Sequence, residues 1–111
     1  MPQESGDENA VLTVERRDPA DVRIRQLVIA LDGEPFATLL FGDTATRTIP
    51  AGRHRLRVHN TLVWKHVTFD ATPGEHVRFR TVNRAGPGSM TLLALLGAGP
   101  LYVTVERVTS P

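Results

Sequence analysis

The chain contains no cysteine among its 111 residues. This absence excludes a disulfide framework, a thiolate nucleophile and a cysteine-bound zinc ion. A chain of this length forms one domain with a modest core, and it leaves little room for a cleft between domains. The sequence therefore directs attention to surfaces rather than to deep sites.

Catalytic signatures are also missing. There is no Gly-x-Ser-x-Gly, no glycine-rich loop that would hold a phosphate and no His-Glu-x-x-His. Serine occurs only as Ser5, Ser89 and Ser110, and none of the three has a histidine partner that the sequence predicts. We therefore predict a non-enzymatic protein with no catalytic residue and no cofactor.

The chain also lacks a secretory signal and a membrane span. Residues 1–10 are polar and acidic, without the basic and apolar regions of a signal peptide. The apolar run at 90–103 is interrupted by Gly-Ala-Gly-Pro and is shorter than the roughly 20 residues that a transmembrane helix needs. These features predict a flexible acidic tail over 1–10, a single domain over 11–111 and a cytoplasmic location.

Short runs of valine, isoleucine, leucine, threonine and aromatic residues lie between turn signals such as Asp32-Gly33 and Pro50-Ala51-Gly52. This spacing is typical of β-sandwiches and barrels. It predicts an all-β fold, a small antiparallel β-sandwich of the Ig-like kind with about eight to nine short strands. The strands are expected near 11–16, 22–31, 36–41, 45–50, 53–59, 63–70, 75–82, 90–96 and 101–108.

An alternating pattern assigns faces to several of these strands. Over 53–58, arginines at 53, 55 and 57 alternate with His54, Leu56 and Val58, which predicts an outer arginine face and an inner apolar face. Over 75–82, Val77 and Phe79 face inward. Over 63–70 two registers are open. One faces Val63, Val67 and Phe69 inward and leaves Lys65 at a rim or in a bulge, and the other buries Trp64.

The middle of the chain, roughly residues 24–81, resembles PEGA-like domains and related small bacterial β-sandwich proteins. The resemblance is carried by Asp32-Gly33 and by Pro50-x-Gly52-x-His54-x-Leu56-x-Val58. It implies a structural or interaction role with no catalytic residue. It also implies that His54 forms a hydrogen bond at the rim of the sandwich rather than binding a metal. Gly33 and Gly52 are expected in turns with positive φ.

Five arginines form a candidate binding face if the strands at 53–59 and 75–82 lie in one sheet: Arg53, Arg55, Arg57, Arg78 and Arg80. Guanidinium groups suit phosphates and carboxylates, so this face suggests an anion, an acidic protein or nucleic acid. The alternative is a solvated outer sheet face without a ligand. Nucleic acid is less favoured because stacking on bases requires exposed aromatics, and Trp64 is the only candidate.

A second candidate surface is the leucine-rich hairpin expected from 90–96 and 101–108. Its apolar residues do not alternate with polar ones, so both of its faces need cover. Burial in the domain's own core, contact with a partner protein or a second copy, and membrane contact are the alternatives. The candidate interface residues are Leu92, Leu93, Leu95, Leu96 and Tyr102.

The four histidines do not predict a metal site. His66 and His76 would approach each other across a hairpin closed by Thr72-Pro73-Gly74, but neighbouring arginines would repel a cation and no third ligand is placed there. We therefore predict a non-enzymatic interaction module that acts by protein–protein contact or self-association, with a homo-oligomer as one form. The alternative is an anion- or nucleic-acid-binding module that uses the arginine face.

Overall fold

The protein is represented by a computed structural model that describes residues 8–23, 25–60, 63–85 and 101–108. These residues form an all-β fold, since their short runs of β-branched and apolar residues favour extended strands. The strands in chain order are β1 (Asn9–Glu15), β2 (Leu27–Leu31), β3 (Glu34–Leu39), β4 (Thr44–Pro50), β5 (Gly52–His59), β6 (Trp64–Ala71), β7 (His76–Ala85) and β8 (Leu101–Val108).

The strands form two sheets of four in a sandwich-like arrangement. The first sheet has the order β4-β1-β7-β8, and the second has the order β3-β2-β5-β6. Neighbouring strands run antiparallel except for β1 and β7, which run parallel at the centre of the first sheet. The predicted all-antiparallel sandwich is therefore wrong at this one pair.

Each predicted strand other than 90–96 has a counterpart, although some boundaries move. β1 begins at Asn9 and buries Ala10, so it extends into the predicted tail. The strand predicted over 22–31 is confined to Leu27–Leu31, because Arg23 and Arg25 have φ of 66° and 62° and are not extended. The strand predicted at 90–96 lies outside the described residues.

The turn at Thr72-Pro73-Gly74 does not close a hairpin. β6 belongs to the second sheet and β7 to the first, so this turn carries the chain from one sheet to the other. Gly74 has a φ of 80° and its N–H donates to the carbonyl of Asn9 at 2.7 Å, which joins the turn to the start of β1. The hairpin expected here was wrong because a tight turn does not reveal whether its strands pair.

The core lies between the sheets and is filled by alternate side chains of each strand. The inward positions predicted for Leu56 and Val58 in β5, and for Val77 and Phe79 in β7, are confirmed. Phe69 of the second sheet meets Phe79 of the first edge to face, with ring centroids 5.0 Å apart. This geometry is favourable for aromatic pairs and packs the two sheets together.

The positive φ angles predicted at two glycines are confirmed. Asp32 and Gly33 have φ of 52° and 84°, which fits the two-residue turn that joins β2 to β3. Gly52 has a φ of 128° at the point where the chain passes from β4 in the first sheet to β5 in the second. Both positions use conformations that side chains with a Cβ rarely adopt.

A buried ion pair joins the loop after β1 to the ends of other strands. Arg16 is fully buried, and its Nε and Nη2 each donate to the carboxylate of Asp21 at 3.0 Å. Its Nη1 donates to the carbonyl of Arg25 at 2.6 Å and to that of Leu39 at 3.0 Å. The guanidinium is therefore bound on several sides, which offsets part of the cost of removing it from water.

Asp21 continues this network into β7. Its carboxylate accepts from the backbone N–H groups of Arg23 and Asn83. Burial raises the pKa of Asp21, but the hydrogen bonds from Arg16 and from these N–H groups outweigh burial, so the pKa lies below its ordinary value. The carboxylate therefore stays charged inside the protein.

Two buried asparagines extend the network to the second sheet. The Nδ2 of Asn60, just after β5, donates to the Oδ1 of Asn83 at 2.9 Å. The Oδ1 of Asn60 accepts from the N–H of Val63 at 2.8 Å, just before β6. Asn60 and Asn83 thus join the two sheets at one end, although the apolar pattern of the sequence does not identify them.

We expect Asp21→Ala to destabilise the protein by about 3–5 kcal/mol, because it leaves the Arg16 guanidinium buried without a carboxylate. The measurement is chemical denaturation at neutral pH. Asp70→Ala is the matched control, since it removes the exposed ion pair between Arg53 and Asp70 and is expected to cost about 1 kcal/mol or less. Equal losses for the two variants would contradict this account of the buried pair.

Candidate functional site

The five arginines of the predicted binding face do not lie on one face. Arg53, Arg55 and Arg57 belong to β5 in the second sheet, whereas Arg78 and Arg80 belong to β7 in the first. Outward side chains of the two sheets of a sandwich point in opposite directions. The single face required both strands to share a sheet, so that prediction is wrong and the arginines form two separate groups.

The group on the first sheet lies among acids. Arg80 is 3.7 Å from the carboxylate of Glu106 on β8, and its partner on β1 is Glu15. Arg78 is flanked by Thr13 on β1 and Val108 on β8, and its side chain is half-buried. Arg80 therefore lies between two glutamates, which lowers the charge that this part of the face offers to an anion.

The group on the second sheet belongs to what we call the β5–β6 outer face. The strands pair in regular register, so each outward residue of β5 lies opposite an outward residue of β6. The four pairs are Arg53 with Asp70, Arg55 with Thr68, Arg57 with His66, and His59 with Trp64.

Only one end of this face is neutralised. Arg53 bonds to Asp70 at 3.1 Å, whereas Arg55 and Arg57 form no ion pair within the described residues. Asp32 is the acid that accepts a hydrogen bond from the backbone of Arg55. Both oxygens of Asp32 are already occupied, one by the backbone N–H of Arg55 and the other by His54.

Arg57 carries an additional feature. Its Nε is buried and makes no hydrogen bond within the part of the chain that the structure describes. A buried donor on a charged group is costly when it is left without an acceptor. Arg57 is therefore a half-buried cation that has no carboxylate partner within the described residues. It lies directly opposite His66, which is exposed.

The two registers open for β6 are now distinguished. Phe69 is buried and Val67 packs against the core, while Trp64 is 53% exposed. Lys65 has the parity of the inward residues but lies exposed near the start of the strand, and the pairing with β5 shows no bulge. The register with Lys65 at the rim is confirmed. Trp64 lies on the same side of β6 as the polar residues His66, Thr68 and Asp70. This alternation in the sequence could have predicted that Trp64 is exposed.

Trp64 stacks on His59 across the strand pair. The ring centroids are 5.3 Å apart and the ring planes differ by 22°. His59 immediately precedes Asn60 and Trp64 immediately follows Val63, and Asn60 and Val63 are hydrogen-bonded to each other. This end of the β5–β6 outer face therefore presents a stacked aromatic surface beside Arg57 and His66.

The two histidines that the sequence paired lie far apart in the fold. His66 and His76 belong to different sheets, and the Nε2 of His76 is 2.7 Å from the hydroxyl of Thr13. His54 points inward and His59 outward, as their spacing predicts. Among the described residues, no three histidine, aspartate or glutamate side chains lie close enough to hold a metal ion.

His54 closes the corner between β4 and β5. Its Nδ1 lies 2.5 Å from the carboxylate of Asp32, and its Nε2 lies 2.6 Å from the carbonyl of Pro50. Both partners are acceptors, so both ring nitrogens must donate, which requires the imidazolium. Burial lowers the pKa of His54, but these bonds to Asp32 and Pro50 outweigh it and raise the pKa above its ordinary value.

The leucine-rich candidate interface cannot be placed on this surface. Leu92, Leu93, Leu95 and Leu96 lie outside the described residues. Tyr102 is in β8 opposite Arg84, but its side chain is also outside them. In the described segments, no helix is long and apolar enough to cross a membrane.

We expect His54 to titrate above its ordinary pKa of 6.5 in the folded protein, and Asp32→Asn to lower that pKa. Histidine NMR titration measures both. Because the folded pKa is raised, the stability that His54 contributes is fully present below its unfolded pKa. It is lost as the pH rises through the folded pKa. The difference in unfolding free energy between the wild type and His54→Gln should therefore shrink with rising pH, and a constant difference would contradict the imidazolium.

Comparisons of the chain with protein-family models, with curated proteins and with solved structures gave no match. The resemblance to PEGA-like domains therefore stays a prediction from the sequence. The case for a function rests on the chemistry of this chain's own surface.

Proposed function

We propose that the protein is a non-enzymatic binding module whose β5–β6 outer face binds an anionic ligand. The observation that carries the proposal is the pair of arginines, Arg55 and Arg57, that lie on one strand without an ion pair in the described chain. Guanidinium groups present several N–H donors in a fixed plane that matches phosphate and carboxylate groups.

The contrast between the two sheets supports this choice of face. Both sheets carry outward arginines, but Arg80 of β7 lies beside Glu15 and Glu106, whereas Arg55 and Arg57 lie opposite Thr68 and His66 of β6. An anion that approaches Arg80 would have to displace the carboxylate of Glu106. An anion at β5 would instead meet two guanidinium groups that form no ion pair within the described chain.

The PEGA-like resemblance is consistent with a small β-sandwich that serves as an interaction module. Contact with a partner protein or with a second copy through the leucine-rich segment remains a prediction from the sequence, since that segment is outside the described residues. That prediction concerns residues other than those of the β5–β6 outer face.

A pair of double variants tests the face. We expect Arg55→Gln/Arg57→Gln to weaken binding of linear polyphosphate, and to reduce the slope of log affinity against log salt by roughly 1 for each arginine lost. Arg78→Gln/Arg80→Gln removes the same charge from the other sheet and should leave binding nearly unchanged. Affinity is measured by calorimetry between about 50 and 200 mM salt.

The same variants must stay folded, which thermal unfolding checks. The Nε of Arg57 has no acceptor to lose, so its replacement is expected to leave stability unchanged or higher. Equal losses of binding in both double variants would indicate a general charge effect. The absence of polyphosphate binding by the wild type would sink the proposed function.

Binding should also tighten as the pH falls. Desolvation, followed by the positive charges of Arg55 and Arg57, lowers the pKa of His66. His59 is its other titratable neighbour on β5. A bound anion favours the protonated ring of His66 and therefore raises the pKa of His66. Binding of the anion is then accompanied by uptake of a proton by His66.

Polyphosphate titrations at pH values above and below 6.5 measure this effect. His66→Gln should flatten the dependence on pH. The matched control is His76→Gln, on the outer face of the other sheet, and it should retain the dependence. An unchanged pH profile in His66→Gln would remove His66 from the site.

A further inference from the structure

Trp64 gives the β5–β6 outer face a second kind of binding group. It is the only tryptophan of the chain, and it is 53% exposed even though tryptophan is usually well buried. His59 stacks against the indole with ring centroids 5.3 Å apart, and about half of the Trp64 surface stays exposed to a ligand. An exposed, pre-positioned ring favours a ligand that itself contains a planar ring.

The aromatic and cationic groups lie at a defined spacing. Trp64 and His66 are two residues apart on β6, which corresponds to about 7 Å along a strand. Arg57 lies directly opposite His66, and Arg55 is the next outward residue of β5. The order along the face is therefore a ring surface, then a first cation, then a second.

A nucleotide matches this order better than other anions do. It joins a planar base to a phosphate through one sugar, and a strand of nucleotides repeats both groups along one direction. Single strands are bound by aromatic side chains that stack on bases and by cations that follow the phosphates. An acidic peptide would use the arginines but has no repeated ring for Trp64, and a duplex hides the faces of its bases.

We propose that the β5–β6 outer face binds single-stranded nucleic acid, with a base stacked on Trp64 and the phosphates next to Arg57 and Arg55. This inference rests on the proposed function, because it names the anion that the face binds. Sequence preference is expected to be weak, since every base offers a ring face to an aromatic side chain.

The single tryptophan allows a direct test. A single-stranded homopolymer of about ten nucleotides, within the size range of known single-strand sites, should quench the fluorescence of Trp64 on binding. Polyphosphate should bind with little quenching because it carries no ring. A duplex of the same length and polyglutamate are the other two ligands in the series.

Trp64→Ala separates stacking from charge. We expect it to weaken binding of a fluorescently labelled single strand by at least about 5-fold in anisotropy measurements, while polyphosphate affinity stays the same. Trp64→Phe should retain most of the binding, and Leu40→Ala, which alters the other large apolar side chain exposed among the described residues, should have no effect. Both substituted residues are exposed, and unfolding midpoints check that the variants remain folded.

The possible outcomes distinguish the two proposals. If Trp64→Ala leaves single-strand binding unchanged, or if polyglutamate or duplex binds as well as the single strand, the nucleic-acid inference is overturned while the anion-binding function stands. If neither polyphosphate nor the single strand binds, both proposals fail. Loss of single-strand binding alone in Trp64→Ala supports both.

Discussion

Arg16 and Asp21 place two opposite charges out of contact with water at one end of the sandwich. Apolar packing between two sheets has little directionality, and many offsets of the sheets would bury similar areas. A buried ion pair is different because each of its donors and acceptors needs a partner. Those partners come from both sheets, from Asn83 in the first and from Leu39 in the second, so only one arrangement of the sheets satisfies them. The network therefore specifies how the sheets meet.

This network also reaches the proposed site. Asn83 bonds to Asn60, and Asn60 in turn accepts from the N–H of Val63. His59 immediately precedes Asn60, and Trp64 immediately follows Val63, so the stacked pair is held by the same buried groups that join the sheets. Fixing the residues next to the stacked pair reduces the entropy lost when a ligand binds. The buried network and the exposed rings of His59 and Trp64 are therefore joined through Asn60 and Val63.

Local patterns in the sequence were sufficient for some features and not for others. The Asp32-Gly33 turn and the inward positions of Leu56 and Val58 follow from residue type and alternation, and both are confirmed. Alternation states which side of a strand faces the core, but it does not state which sheet the strand joins. For that reason the arginines of β5 and β7 were expected on one face and lie on two. The buried role of Arg16 was equally hidden, since nothing next to it in sequence identifies Asp21 as its partner.

The number of arginines on a face is a poor guide to whether the face binds an anion. Arg80 and Arg57 are both half-buried on outward sheet faces, yet Arg80 lies beside glutamates and Arg57 does not. An acid beside an arginine lowers the local potential and occupies its donors, so it serves stability or solubility without leaving a site. A buried donor without an acceptor lowers stability. The Nε of Arg57 is such a donor, and Arg57 lies one outward position along the strand pair from the exposed Trp64.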